Sequence, residues 1–315
     1  MTDRSPLFSI SIPTYNRADG YLRQTLESAV AQSHPDLEIL VSDNASTDST
    51  EALVRSFDDP RIRYVKHPRN IGHMGNFRFC HEGARGNYVL ILHDDDLIDP
   101  DFIATCAEAA AGRLDYGIIH TGVRVIDEHG QRLEDLPNHA TPGPVGEFIL
   151  AWFAGKTPWY MCNMVYNRKF LAEVGGVTSK KNLYPDVVAD MRLAARYDRL
   201  ELPDIKASFR RHGLSTGTTA RLLDWIDDSL HVLQVAEEVA PDHAEAIREQ
   251  GEVYFCRTLY RYARRMIASP WERWRMYFAI SERFHNGHTP YEYALQSLRA
   301  YLGRVKRGMV GARAG

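Results

Sequence analysis

Over its first 130 residues the chain alternates short, almost wholly apolar runs with stretches whose apolar residues recur at helical spacing. "LFSISIP" is apolar and partly β-branched, and the following "ADGYLRQTLESAVAQS" carries Leu22, Leu26, Ala29 and Val30 on one helical face. "LEILVSD" predicts a second buried strand, and "ASTDSTEALVRSF" a helix with Ser, Thr and Asp gathered at its start. "IRYVKH" predicts a third strand, "GNFRFCHEGA" a helix and "NYVLILH" a fourth strand. Strands that are apolar on both faces and separated by helices predict a parallel sheet covered on two sides. That is a doubly wound α/β half.

From about Tyr116 the pattern changes. "YGIIHTGVRVID" predicts a longer strand, "DEHG" a turn, and "LPNHATPGPVG" an irregular loop. "WYMCNMVYN" predicts another strand, "RKFLAEVGG" a helix ended by Gly175 and Gly176, and "YPDVVADMRLAARYD" a further helix. Beyond about Ala220 helix formers dominate, with Pro270 and Pro290 marking helix starts. The division expected is therefore residues 1–218, in halves of about 1–115 and 116–218, followed by a helical C-terminal appendage over 219–315.

Composition narrows the picture modestly. The chain has 315 residues, 44% hydrophobic and 25% charged, as in ordinary globular proteins, and its net charge of −3 gives no nucleic-acid footprint. From Gly251 onward, however, twelve Lys/Arg stand against four Asp/Glu, so the remainder is distinctly acidic. Cys80, Cys106, Cys162 and Cys256 are widely spaced with no C-x-x-C, so neither a zinc site nor a disulfide framework is indicated, and free thiols suit a reducing compartment. No signal-peptide core or membrane-length apolar run is visible, which makes a cytoplasmic protein the expectation.

In open parallel sheets, ligands bind beyond the carboxyl ends of the strands. Here those ends are followed by "PTYNR", "SDNASTD", "HPRNIG" and "DDD", so acidic and basic groups converge on one rim. With strand alternation, Asp94 and Asp96 face one side and Asp95 the other. Two carboxylates on one side suit a hard divalent cation, Mn²⁺ or Mg²⁺; a solvated acidic loop or helix cap is the alternative. Asp43 can serve a base or ribose, or simply close an Asx-turn. Arg69 can meet a phosphate or a base, or stand exposed.

Together "FSISIPTYNR", "LEILVSDNASTDST", "PRNIGHMGN" and "GNYVLILHDDDLIDPDF" resemble the family 2 glycosyltransferases in order and interval. The resemblance is dense over residues 7–102 and looser to about 218. It implies a GT-A fold, a Rossmann-like sheet binding a nucleotide-diphosphate sugar, with a D-x-D-type motif for the metal. Carried over, Pro13, Thr14 and Tyr15 would surround the base and ribose, with Arg17 in the same donor site. Asp43 would bind the base, usually uracil, with Arg69 beside it. The aspartate triple would contact ribose and metal: Asp96 mainly the metal, Asp94 or Asp95 the ribose, with Asp94 a further metal candidate. His93 stands where the family usually has an acid.

The resemblance further implies an inverting displacement with a carboxylate base at a helix start. Asp190 matches best by its spacing to Leu193, and Asp186 is its rival one turn earlier. "ASFRRHGLSTG" resembles the family's arginine-x-histidine segment, placing Arg210 near the diphosphate and His212 as a metal ligand. Trp159 and Tyr160 either floor a sugar pocket or pack in the core. "RYARRMIASPWERWRMYF" is a membrane-surface helix serving a lipid-linked acceptor, or a helix packed on the catalytic domain or in a dimer interface. The acceptor is a saccharide, a lipid-linked saccharide or a natural product. A sugar nucleotidyltransferase would want a glycine-rich basic loop after the first strand, which "IPTYNRADGY" is not. An aspartyl-phosphate phosphatase would need a Thr or Val that "DDDLID" does not offer. A non-catalytic sugar-nucleotide binder is the remaining rival.

Overall fold

The computed structural model describes residues 7–213, 221–287 and 289–295. The four apolar runs form β1 (Phe8–Thr14), β2 (Leu37–Asp43), β3 (Ile62–Lys66) and β4 (Tyr88–Ile91), all parallel, in the order β3-β2-β1-β4. Every residue of β1, β2 and β4 is buried, as expected for strands covered on both faces. Register fixes the rim: Thr14 pairs with Asp43, and Asp43 with Lys66. The crossover helices are α1 (Leu22–Val30), α2 (Thr50–Arg55) and α3 (Gly72–Glu82). α1 buries Leu22, Thr25, Leu26 and Ala29, an i, i+3, i+4, i+7 face against the sheet.

Past β4 the sheet becomes mixed. β6 (Tyr116–Ile126) and β8 (Met164–Asn167) are the two predicted strands; β8 lies antiparallel between β4 and β6. Three strands had no clear signal: β5 (Leu97–Ile98), β7 (Arg132–Leu136) and β9 (Asp198–Arg210). β9 runs parallel to β6 although Pro203 and Asp204 interrupt it. Its ladder jumps from His120–Glu201 to Gly122–Ile205, four residues on β9 for two on β6, which accommodates the interruption. β5 pairs antiparallel with the end of β9, and α4 (Phe102–Ala110) begins only after it.

α5 (Val145–Phe153), α6 (Arg168–Glu173) and α7 (Pro185–Ala194) cover the second half. The Asn167 side chain caps α6 by accepting from the amides of Lys169 and Phe170, and Gly175 and Gly176 end it at φ +94° and +73°. The C-terminal helices are α8 (Leu222–Val239), α9 (Ala244–Met266) and α10 (Pro270–Ser281). They share one apolar core with α5 and α7, in which Trp152, Val188, Leu193, Trp225, Phe255 and Leu259 are all buried. A second core, with Ile10, Ile12, Leu26, Phe102 and Val123, fills the opposite face of the sheet. The boundary expected at 218/219 lies outside the described residues. In α10, which carries the end of the basic aromatic stretch, Tyr277 and Ile280 are buried while Trp271 stands 75% exposed, so packing accounts for one face of α10 only. Among the described residues no helix is long and apolar enough to cross a membrane.

Candidate active site

β4 ends at Ile91, and the aspartates belong to a turn in which the Asp96 amide donates to the His93 carbonyl at 3.2 Å. Strand alternation therefore does not apply to them, and the expected division of their side chains is corrected. Asp94 turns toward β1, where Thr14 Oγ1 donates to its Oδ2 at 2.8 Å and Arg17 Nε lies 3.7 Å away. Asp95 Oδ2 meets His212 Nε2 at 2.8 Å. Asp96 is buried, with its Oδ1 accepting from the Arg210 amide at 2.8 Å. His93 stacks on Phe77 of α3, centroids 5.2 Å apart.

Burial, and secondarily the neighbouring Asp95, push the Asp94 carboxyl up to about 7, against the opposing pull of Arg17 and Thr14. The same two causes raise Asp96 well above the ordinary carboxyl range. The like-charge cost of the triple is thus met in part by holding protons. A cation in the turn would remove the need for them.

One donor atom each from His93, Asp95 and Asp96 lies within 4.8 Å of the others. His93 Nε2 is buried without a hydrogen-bond partner, and its Nδ1 is 3.7 Å from Asp96 Oδ2. One imidazole and two carboxylates fit a divalent cation with coordination positions to spare. Asp94 and His212, expected among the ligands, fall outside this cluster. Asp94 is engaged by Thr14 and Arg17, and His212 stands behind Asp95. His93, which the sequence already places where the resemblance implies an acid, keeps ligand capacity through its unpartnered Nε2.

Arg210 is 2% exposed and inward-facing. Its Nε donates to the Asp95 carbonyl at 2.8 Å, a terminal nitrogen to Gln24 Oε1 at 2.8 Å, and its guanidinium covers the Tyr21 ring at 4.3 Å. His212 lies against the same ring at 5.2 Å. Tyr21, the N-cap of α1, and Gln24, in its first turn, carried no distinguishing signal in the sequence. Arg210 therefore joins the end of β9 to the aspartate turn instead of reaching outward.

At the other end of the rim Asp43 is fully buried. Its Oδ1 accepts from the Ser46 amide at 2.7 Å, the Asx-type bond, and its Oδ2 accepts from the Tyr64 hydroxyl. Asn44 ties down the loop after β3: its Nδ2 donates to Asn70 Oδ1 at 3.0 Å and its Oδ1 accepts from the Ile71 amide at 2.8 Å. Arg69 stands exposed on that loop, with no ion pair among the described residues. Pro13 is buried, and Tyr15 presents its ring with 45% exposure.

The two acids of α7 separate sharply. Asp186, in the first turn, is half-buried. Burial raises its carboxyl, while the Val187 amide and nearby His93 pull it back down. Asp190 is 2% exposed beside Tyr166, with Oδ1 unpartnered, and burial and then Asp186 raise its carboxyl well above the ordinary range. Trp159 stacks on Trp152 at 4.8 Å within the core, and Tyr160 packs on Phe209 at 4.6 Å.

The chain matches the family model described as Glycosyl transferase family 2 over residues 9–175. It is 36% identical over 176 residues to the succinoglycan biosynthesis protein ExoO of Rhizobium meliloti, covering 54% of this chain and 50% of that protein. To the chondroitin synthase of Escherichia coli it is 33% identical over 137 residues, 42% of this chain and 19% of that protein. The chain thus spans half or less of these curated relatives. Its structure is similar to S. aureus TarS 1–349 in complex with UDP, at TM-score 0.61 and 15% identity, covering 88% of this chain and 79% of that one. It is also similar to the mannosyltransferase PcManGT from Pyrobaculum calidifontis in complex with GDP-Man and Mn²⁺, at TM-score 0.55 and 18% identity, covering 95% and 81%. These likenesses concern the fold, and it is the GT-A fold expected from the strand-end motifs.

Proposed function

The chain belongs to glycosyltransferase family 2, and we propose that it transfers a sugar from a nucleoside-diphosphate sugar to an acceptor hydroxyl with inversion at the anomeric carbon. The observation that carries this reading is the meeting of three parts on one rim: the exposed Tyr15 ring, the His93–Asp95–Asp96 donor cluster and the half-buried Asp186 near His93. Pro13, Thr14 and Tyr15 frame the base and ribose. Asp43 shapes this end through its turn, Arg69 borders it, and Asp94 and Arg17 face the ribose and diphosphate. His93, Asp95 and Asp96 would hold Mn²⁺ or Mg²⁺, which supplies positive charge to the departing diphosphate.

The acceptor oxygen attacks the anomeric carbon as the bond to the diphosphate oxygen breaks. Asp186, as carboxylate, takes the hydroxyl proton. Its side chain is only half-buried and lies near His93, which supports it over Asp190, 2% exposed in the core. The solved neighbours were captured with UDP, UDP-GlcNAc and GDP-Man, so UDP- and GDP-sugars are the donors to try, UDP first. Relatives named for succinoglycan and chondroitin support a saccharide acceptor, free or lipid-linked. A thermal-shift panel of UDP-, GDP- and dTDP-sugars with and without Mn²⁺ tests the reading. A ligand at 100 times its Kd stabilises by about 2.7 kcal/mol, so one donor should raise the melting temperature in a metal-dependent way. No metal-dependent shift with any of them would overturn it.

A further inference from the structure

The loop of residues 177–184 delivers Asp186, and it lies beyond the segment that matches the family model. It has no regular secondary structure, so its amides need acceptors from elsewhere. Asp228, on α8 and fully buried, supplies them. Its Oδ1 accepts from the Lys181 amide at 2.8 Å. Its Oδ2 accepts from Ser179 Oγ at 2.6 Å and from the amides of Leu183 and Tyr184 at 2.8 and 3.0 Å. Asn182, at φ +57°, makes the left-handed turn that lets amides on both sides of it point the same way.

Apolar contacts fix the same segment. The Tyr184 ring meets Trp225 of α8 and Phe255 of α9 edge-on, at 5.1 and 5.5 Å. Lys181 Nζ reaches Asp224 of α8 at 3.4 Å. Next comes Pro185, whose ring restricts the backbone at the first turn of α7, and then Asp186. Only Pro185 separates Tyr184, whose amide Asp228 holds, from the proposed base.

We propose that Asp228 is a positioning residue of the active site, holding the 179–184 loop in the shape that presents Asp186 to the acceptor. This rests on Asp186 being the base. It makes α8 part of the catalytic apparatus and not an appendage to it.

A buried carboxyl with four donors is costly to remove, so the test uses Asp228→Asn together with the milder Ser179→Ala in the full-length chain. Turnover is read as nucleoside diphosphate release from whichever of UDP-GlcNAc, UDP-glucose or GDP-mannose the wild type uses. UDP with Mn²⁺ is the binding probe, and amide hydrogen exchange reports the loop. Asp228→Asn is expected to lower kcat at least tenfold, leave the UDP Kd within twofold, and speed exchange at residues 181–184 at least tenfold. Ser179→Ala should lower kcat a few-fold. Wild-type kcat with unchanged exchange in folded Asp228→Asn overturns the proposal, as does a raised donor KM at unchanged kcat. Should Asp228→Asn fail to fold, wild-type kcat in Ser179→Ala overturns it. A wild type that neither binds UDP nor turns over any donor refutes the transferase reading itself, and exchange at 181–184 then still decides whether Asp228 holds the loop.

Discussion

Asp186 and Asp190 are one helical turn apart on α7 and differ in nearly everything that matters to a base. A base must reach the acceptor in its charged form, and the half-buried Asp186 is better placed for that than Asp190, which is 2% exposed. Asp186→Asn should cut turnover by about 10²–10⁴-fold while UDP binding persists, measured by nucleotide release and calorimetry. Asp190→Asn should retain turnover within a few-fold. It should also stabilise the protein at pH 7.5, because the buried carboxyl ionises only reluctantly and the amide does not ionise at all. Asp94 gives a pH dependence of the same sign. Its folded value of about 7 lies above the ordinary 3.8, so between those values the folded state keeps a proton the unfolded chain has lost. Stability is then fully present below about pH 4 and falls, by roughly 4 kcal/mol, as pH rises through 7. Metal-free melting temperatures should therefore drop from pH 5 to 8, and an unchanged or rising midpoint would contradict this. The three aspartates were visible in the sequence as a candidate site. Their individual duties were not, because period-two alternation holds within a strand and fails in the turn that begins at His93.

At the scale of elements, the parallel strands β1 to β4 were legible because strands buried on both faces must be apolar almost throughout. β9 was not, since Pro203 and Asp204 break its run and its partner accommodates them by a register shift visible only in three dimensions. That strand nevertheless controls the site, because its last residue, Arg210, binds the aspartate turn through backbone and side chain. Arg210→Ala removes a buried guanidinium and leaves the Asp95 carbonyl and Gln24 unpartnered. The expected loss is about 1–3 kcal/mol of unfolding free energy for each acceptor left unsatisfied, read from urea denaturation at an unchanged m-value. Arg210→Lys should recover little, as one ammonium cannot both stack on Tyr21 and satisfy two separate acceptors.

For the whole molecule, the sequence marks the C-terminal helices as an appendage, where composition changes and the family motifs end. In the structure Trp225, Phe255 and Leu259 complete the core that α5 and α7 begin. A chain ended at residue 213 would expose that apolar face, so it should aggregate or lack cooperative melting instead of forming a smaller active domain. The central claim, inverting transfer with Asp186 as base, is tested most directly by following donor turnover by proton NMR with Mn²⁺ in wild type and Asp186→Asn. The prediction is a first-formed product of opposite anomeric configuration to the donor, lost in Asp186→Asn although UDP still binds. A product of retained configuration, or undiminished turnover by Asp186→Asn, would contradict it.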